Sequence, residues 1–371
     1  VPGAPSADPD VAVEPMRIAV LGTGLIGGSV ALAARERLQA SVAGWDPAEE
    51  ALAAAVQRGA VDAACRTVAD AVAGAEVVFC AAPVAALAQL VSDALAGAGP
   101  DCVVTDVGST KRGIVAAHRD VRFVGGHPLA GAETGGVAHA RADLFEGAAW
   151  YLTPTPDTDG ILYERLHRVL TGIGARPAAI DAETHDQVLA VVSHLPHVLA
   201  NVLVSQAAAT LARAGERMPA TGPSFRDATR VAGAPSAIWT DIYLANRDAL
   251  IVELDGALAR LADVRAALAA GDPAAITTWN DGAADDRHAL LGHQLTGGAL
   301  HELRVSVPNR PGVIAELALA LGRAGVNITD MTLSPSADMR DGVVALGVAG
   351  DDAAGRAREL IAGLGHPVQQ L

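Results

Sequence analysis

The residues Gly22-Thr23-Gly24-Leu25-Ile26-Gly27 stand between an apolar run, Arg17–Leu21, and an Ala-rich stretch of helical period, Ser29–Arg37. A bare G-x-G-x-x-G arises by chance. One that leaves a strand and opens a helix restricts the chain to a strand–turn–helix unit that holds a dinucleotide. Gly22 permits the tight turn, Gly24 lets the backbone approach a pyrophosphate, and Gly27 lets the helix lie close on the strand. With Leu25 and Ile26, they offer the phosphates free N–H groups and the positive end of the helix dipole. An acidic residue should end the next strand, and Asp46 does so in Val42-Ala43-Gly44-Trp45-Asp46, nineteen residues beyond Gly27. Its carboxylate accepts hydrogen bonds from an adenosine ribose and repels a 2′-phosphate, so NAD is expected over NADP. The competing reading is that the glycines only pack a helix on a strand and Asp46 caps a turn. Ala82 and Pro83, ending another strand at the same sheet edge, are expected to border the nicotinamide.

Around this unit, β-rich runs alternate with Ala-rich helical stretches as far as Asp181. Arg17–Leu21, Ser41–Asp46, Glu76–Ala82, Cys102–Val107 and Arg122–Gly126 read as strands, with Trp150–Thr153 and Arg176–Ile180 at one edge. That alternation predicts an α/β, Rossmann-type parallel sheet over residues 16–181, with helices on both faces. Aromatic residues are only 3% of a chain that is 51% hydrophobic, so the core should be packed with Ala, Val and Leu. Residues 1–15 read as a disordered tail rather than a signal peptide. Beyond Asp181 the β signals stop. Residues 182–297 read as an all-α domain, interrupted at Met218–Ser224 and Gly233–Ser236, with Gly297-Gly298 as a hinge. In residues 298–371, strands His301–Val307, Asn327–Leu333, Gly342–Val348 and Pro367–Leu371 and helices Pro311–Leu321 and Asp352–Leu364 give the β-α-β-β-α-β order of a ferredoxin-like α+β domain.

The net charge of −15 argues against nucleic acid or an anionic membrane as partner. Cys65, Cys80 and Cys102 have neither disulfide nor metal-knuckle spacing. No uninterrupted apolar stretch of membrane-spanning length stands out, and a cytoplasmic location is expected.

Two further segments end strands at the ligand-binding edge: Thr105-Asp106-Val107-Gly108-Ser109-Thr110-Lys111 and Gly125-Gly126-His127-Pro128-Leu129-Ala130-Gly131-Ala132-Glu133. These residue types suit oxidation of a hydroxyl-bearing carbon. His127 can accept the hydroxyl proton near neutral pH, and Ser109 can hydrogen-bond the hydroxyl or the imidazole. The plainer readings are a loop histidine before a proline and a helix N-cap. His194 and His197, in Ser193-His194-Leu195-Pro196-His197, share a helix face but have no carboxylate or cysteine partners at ligand spacing. A core or substrate-facing role is expected for them, and no metal.

These four segments, in this order, resemble the prephenate dehydrogenases, a family that includes arogenate dehydrogenases. The resemblance spans about Arg17 to Ala245 and implies a Rossmann domain followed by a helical dimerisation domain, hence a homodimer. It implies that His127 is the catalytic acceptor for the ring hydroxyl and that Ser109 orients hydroxyl and histidine near the nicotinamide. Arg230 would bind a substrate carboxylate in bidentate fashion; without the resemblance it reads as a surface arginine. Trp239 would approach the pocket, from its own or the partner subunit. Glu133 would stand at the pocket rim, and His194 and His197 would line the substrate side. The implied reaction is NAD-dependent oxidative decarboxylation of prephenate to 4-hydroxyphenylpyruvate in tyrosine biosynthesis, with arogenate as the alternative substrate.

The C-terminal residues Leu303–Val307, Pro308-Asn309-Arg310-Pro311-Gly312-Val313 and Gly325-Val326-Asn327-Ile328 resemble an ACT domain. Asn309, Gly312 and Asn327 would then lie near an effector, with tyrosine as the expected ligand; a purely structural domain is the alternative. A β-hydroxyacid dehydrogenase is disfavoured because that class relies on a lysine in the helical domain, and residues 182–297 contain none. A non-catalytic NAD-sensing regulator sits poorly with Ser109, His127 and Arg230 together.

Overall fold

Strands and helices alternate as the glycine motif requires in the computed structural model, which describes residues 15–131, 134–214, 221–293 and 299–370, the last stretch with gaps at 309–312, 314–316, 318–319, 322–323, 325, 327 and 337–339. The chain divides into two units, residues 1–258 and 259–371. The first opens with β1 (Arg17–Leu21), α1 (Leu25–Leu38), β2 (Ser41–Trp45), α2 (Glu49–Gln57) and β3 (Ala63–Ala64). It continues with α3 (Val68–Val72), β4 (Val77–Cys80), α4 (Val84–Gly97), β5 (Val103–Asp106), α5 (Arg112–Ala117) and β6 (Phe123–Pro128). Then come β7 (Ala149–Thr153), α6 (Gly160–Gly172) and β8 (Arg176–Ala179).

These strands form one sheet in the order β3-β2-β1-β4-β5-β6-β7-β8. Neighbours are parallel except β6 and β7, which run antiparallel. The two-residue β3 was not among the expected strands; Ala63-Ala64 has no β-branched or aromatic residue to announce it. Alternate strand residues feed opposite faces. Ile18, Val20, Val77, Phe79 and Val103 pack with α1 and α6, whereas Ala19, Leu21, Val78, Cys80 and Val104 pack with α4. Chain order reverses between β1 and β4, the place where open α/β sheets bind ligands beyond their carboxyl ends.

After Asp181 the first unit is helical, as expected: α7 (Ala182–Leu189), α8 (Leu195–Ala214), α9 (Pro223–Thr229), α10 (Ser236–Ala245) and the start of α11 (Arg247–Ala270). Between α7 and α8 the residues Ala190–His194 form a π-helical turn. Pro196 brings no N–H to the helix ladder and its ring crowds the carbonyl four residues back, which a wider turn relieves. The helical run Ala182–Arg213 contains an 18-residue window of mean hydropathy 1.7 and is long and apolar enough by composition to cross a membrane. It nonetheless carries His185, Asp186, His194 and His197, all buried within the first unit.

The second unit holds the rest of α11, α12 (Pro273–His293), β9 (Leu300–Pro308), β10 (Ile328–Pro335), β11 (Asp341–Ala349), α13 (Asp351–Gly363) and β12 (Val368–Gln370). Its antiparallel sheet has the order β10-β11-β9-β12, the arrangement expected of a ferredoxin-like domain. Val313, Leu317 and Leu321, four residues apart in helical backbone, are buried in one core with Leu303, Val305 and Leu346. Asn309, Gly312 and Asn327 lie outside the described residues, as do Gly297 and Gly298.

Candidate active site

The glycine loop is built by exclusion. Gly22 has φ +96°, and a β-carbon there would fall 2.1 Å from the Ala81 carbonyl oxygen. One on Gly27 would fall 1.9 Å from the Gly22 carbonyl oxygen, whereas one on Gly24 would meet nothing within 4 Å. Two glycines are therefore required by packing and the third faces open space. The Gly22 N–H donates to the Trp45 carbonyl at 2.7 Å. Asp46 accepts the Thr23 backbone N–H at 2.7 Å and the Ala48 N–H at 2.9 Å, so it does cap a turn, but it also ties the glycine loop to β2. Among the described residues no side chain caps α1 and no acid occupies its first turn, leaving the N–H groups around Leu25 and Ile26 available to an anion. Ala82 and Pro83 follow the loop that touches Gly22. This set fits a dinucleotide pyrophosphate and ribose.

Next to it, β5 and β6 end together. The buried Asp106 carboxylate accepts the N–H groups of Gly108 at 2.8 Å and Gly126 at 3.1 Å. Lys111, wholly buried, is the only lysine in the chain. Its ammonium pairs with Asp106 and donates to the Gly126 carbonyl at 2.8 Å. Burial lowers the Lys111 pKa, with Asp106 opposing. Ser109 lies in the turn so held, two residues short of Lys111. It is not the α5 N-cap, a position that falls to Lys111.

His127, the residue after Gly126, is buried at 8% exposure. Its Nδ1 lies 2.9 Å from His185 Nε2, and His185 Nδ1 lies 2.8 Å from Asp186 Oδ1. Asp186 also accepts the N–H groups of Lys111 at 2.7 Å and Arg112 at 3.0 Å. Burial holds His127 well below the ordinary histidine pKa, helped by His185, Lys111 and His194. For Asp186 burial acts upward, but the bonds from His185 and the two amides outweigh it and keep the carboxyl below its usual range.

The substrate-side histidines sit on the same helical run. His194 is buried, pushed down to about 4 mainly by burial, with Asp186 opposing. Asn246 Nδ2 stands 3.2 Å from its Nδ1 and donates to the Asp186 carbonyl at 2.7 Å. His197 stacks on Trp239 of the same chain, ring centroids 3.5 Å apart and planes 10° from parallel, and its Nδ1 meets the Tyr243 hydroxyl. Burial lowers the His197 pKa against the Val231 backbone, which hydrogen-bonds it. Arg230 precedes Val231 at the exit of α9 and is exposed. The fold thus brings His127, His194, His197 and Trp239 to one region of the first unit; Glu133 lies outside the described residues. The sequence reading missed His185, Asp186, Tyr243 and Asn246. The available signal was a His-Asp pair four and three residues before Leu189, on the face that α7 buries.

Comparison with known proteins follows the same division. Residues 30–179 match the family described as prephenate dehydrogenase, nucleotide-binding domain; 181–279 match its dimerization domain, and 301–359 the ACT domain. A prephenate dehydrogenase of Bacillus subtilis (strain 168) is 34% identical over 354 residues, 93% of this chain and 95% of that protein. The crystal structure of prephenate dehydrogenase from A. aeolicus in complex with hydroxyphenyl propionate and NAD+ is 27% identical and similar at a TM-score of 0.68, over 75% of this chain and 99% of that one. Arogenate dehydrogenase from Synechocystis is 28% identical, with a TM-score of 0.64 over 73% of this chain and 99% of that one.

Proposed function

The chain belongs to the prephenate dehydrogenase family, and on that footing we propose that it oxidises and decarboxylates prephenate to 4-hydroxyphenylpyruvate with NAD. The observation that carries this reading is His127: a buried imidazole, held well below the ordinary histidine pKa, at the carboxyl end of β6, the same sheet edge on which the glycine loop opens. Gly22, Gly24, Leu25, Ile26, Gly27 and Asp46 would hold the dinucleotide, with Ala82 and Pro83 on its nicotinamide side. When bound, NAD supplies the hydride acceptor. His127 takes the proton of the ring hydroxyl as that carbon is oxidised, with Ser109 orienting the two groups. Arg230 grips a carboxylate of the substrate, and His194, His197, Trp239 and Glu133 line its ring side. Oxidation leaves a ring whose electron demand expels the opposite carboxylate as carbon dioxide, and aromatisation makes the step irreversible. The protein's part is alignment and electrostatics. NADH formation on adding prephenate tests the reading; wild-type turnover by His127→Asn would overturn the base assignment.

Arogenate, which has an amino group where prephenate has a side-chain keto group, is the second candidate; similarity to an arogenate dehydrogenase supports keeping it. Parallel assays of both substrates with NAD and NADP decide. The reading places cofactor binding in residues 16–181, the helical domain in 182–297 and the ACT domain in 298–371, in a cytoplasmic homodimer. Exposed Val202, Leu203, Leu244, Ile251 and Val252 on α8, α10 and α11 support dimerisation, which sedimentation tests. Tyrosine is the expected effector at Asn309, Gly312 and Asn327. Identical tyrosine inhibition of the full chain and of one ending near Gly297 would remove that role.

A further inference from the structure

The unexplained pair in the site is His185-Asp186. Neither touches the glycine loop or the substrate-side stack, yet both are buried and in line with His127. We propose that they are positioning residues that fix the tautomer of His127, leaving its Nε2 bare as the base; this rests on the assignment of His127 as proton acceptor.

The direction of each hydrogen bond follows from what each group can do. The Asp186 carboxylate collects the Lys111 and Arg112 amides and the His185 ring, so it acts only as an acceptor. The proton between them therefore sits on His185 Nδ1. A neutral His185 has a lone pair at Nε2, and that lone pair faces His127 Nδ1 at 2.9 Å. His127 must then donate from Nδ1, and a neutral imidazole with its proton there has none on Nε2. When Nε2 takes the substrate proton, the imidazolium keeps its Nδ1–H bond, and the line of rings ends on a carboxylate that stabilises the new charge. A second proton on His185 would reverse the order and put the His127 proton on Nε2, disabling the base. The charged and titratable groups facing His127 are His185 on α7, Lys111 before α5 and His194 in the π turn, with Asp106 behind Lys111. Among them only His185 is hydrogen-bonded to the His127 ring.

Nitrogen NMR of the 15N-histidine-labelled full chain, without substrate at neutral pH, reads the tautomer directly; the His127 signals are those lost in His127→Asn. The wild type should show His127 protonated at Nδ1 and bare at Nε2. His185→Leu should shift it toward the Nε2–H form and lower kcat between about 10²- and 10⁴-fold, with both KM values within about twofold. His185→Gln has an amide oxygen that can accept the Nδ1–H, and should restore the tautomer and most of the rate. A wild-type His127 protonated at Nε2 overturns the proposal even if His185→Leu fails to fold. So does a His185→Leu enzyme with wild-type kcat. Full activity in His127→Asn would instead defeat the base assignment and leave the tautomer result standing.

Discussion

The Asp46 carboxylate accepts both the backbone N–H of Thr23 at 2.7 Å and the Thr23 hydroxyl at 3.1 Å. One side chain thus braces the glycine loop from within, at the end of β2 where the proposed ribose contact would be made.

Asp46→Asn should therefore damage cofactor use in two ways, by weakening a charge-assisted bond and by loosening the loop. The KM for NAD is expected to rise about tenfold or more, from the roughly 1.5–3 kcal/mol such bonds contribute, with the KM for prephenate nearly unchanged. The NAD-to-NADP ratio of kcat/KM should fall. Unchanged cofactor kinetics would leave Asp46 as a turn cap only.

Lys111→Met leaves Asp106 buried without its cation. Removing one partner of a buried ion pair costs about 3–5 kcal/mol, and urea unfolding should register a loss of that order. Lys111→Arg should not restore stability, because the buried site holds a compact ammonium between Asp106 and the Gly126 carbonyl, and a planar guanidinium is larger and differently shaped.

Two pH effects share one cause. His127 is held well below 6.5, so kcat/KM for the substrate should stay flat down through that pH and fall only below it. His194 has its pKa lowered from 6.5 to about 4. Between those values the unfolded chain binds a proton that the folded one refuses, so stability present above pH 6.5 is lost progressively toward pH 4. The Tm should decline across that window, and less steeply in His194→Gln. Parallel curves for the two proteins would count against it.

Arg230→Ala should raise the KM for prephenate about 10- to 100-fold through loss of a charged bidentate contact, with kcat much less affected. Arg230→Lys should recover only part, since a single ammonium cannot reproduce the fork. A wild-type KM in the alanine variant would remove Arg230 from the substrate.

The layout of the first unit was readable in the sequence because period-two and period-3.6 patterns survive in its strands and helices; strand limits fell within two residues of those expected. β3 was not, since two alanines carry no pattern. Gly22, Gly27 and Asp46 were legible because local geometry demands them. His185 and Asp186 were not. At the start of α7, in Glu183-Thr184-His185-Asp186, they look like the polar first turn of any helix, and only the fold buries that turn beside β6. Tyr243 and Asn246 were hidden for the same reason: their partners lie about fifty residues away, in the helical run that includes the π turn.

A chain with one lysine, sealed at 0% exposure behind His127, has an unusual chemical surface. Arginine and histidine supply its other basic side chains, so acylating reagents find no accessible side-chain amine on the folded protein. Acylation at Lys111 requires the Asp106 clamp to open. Its rate is a clock for breathing of the catalytic region, in a protein whose surface gives such reagents no other lysine to report.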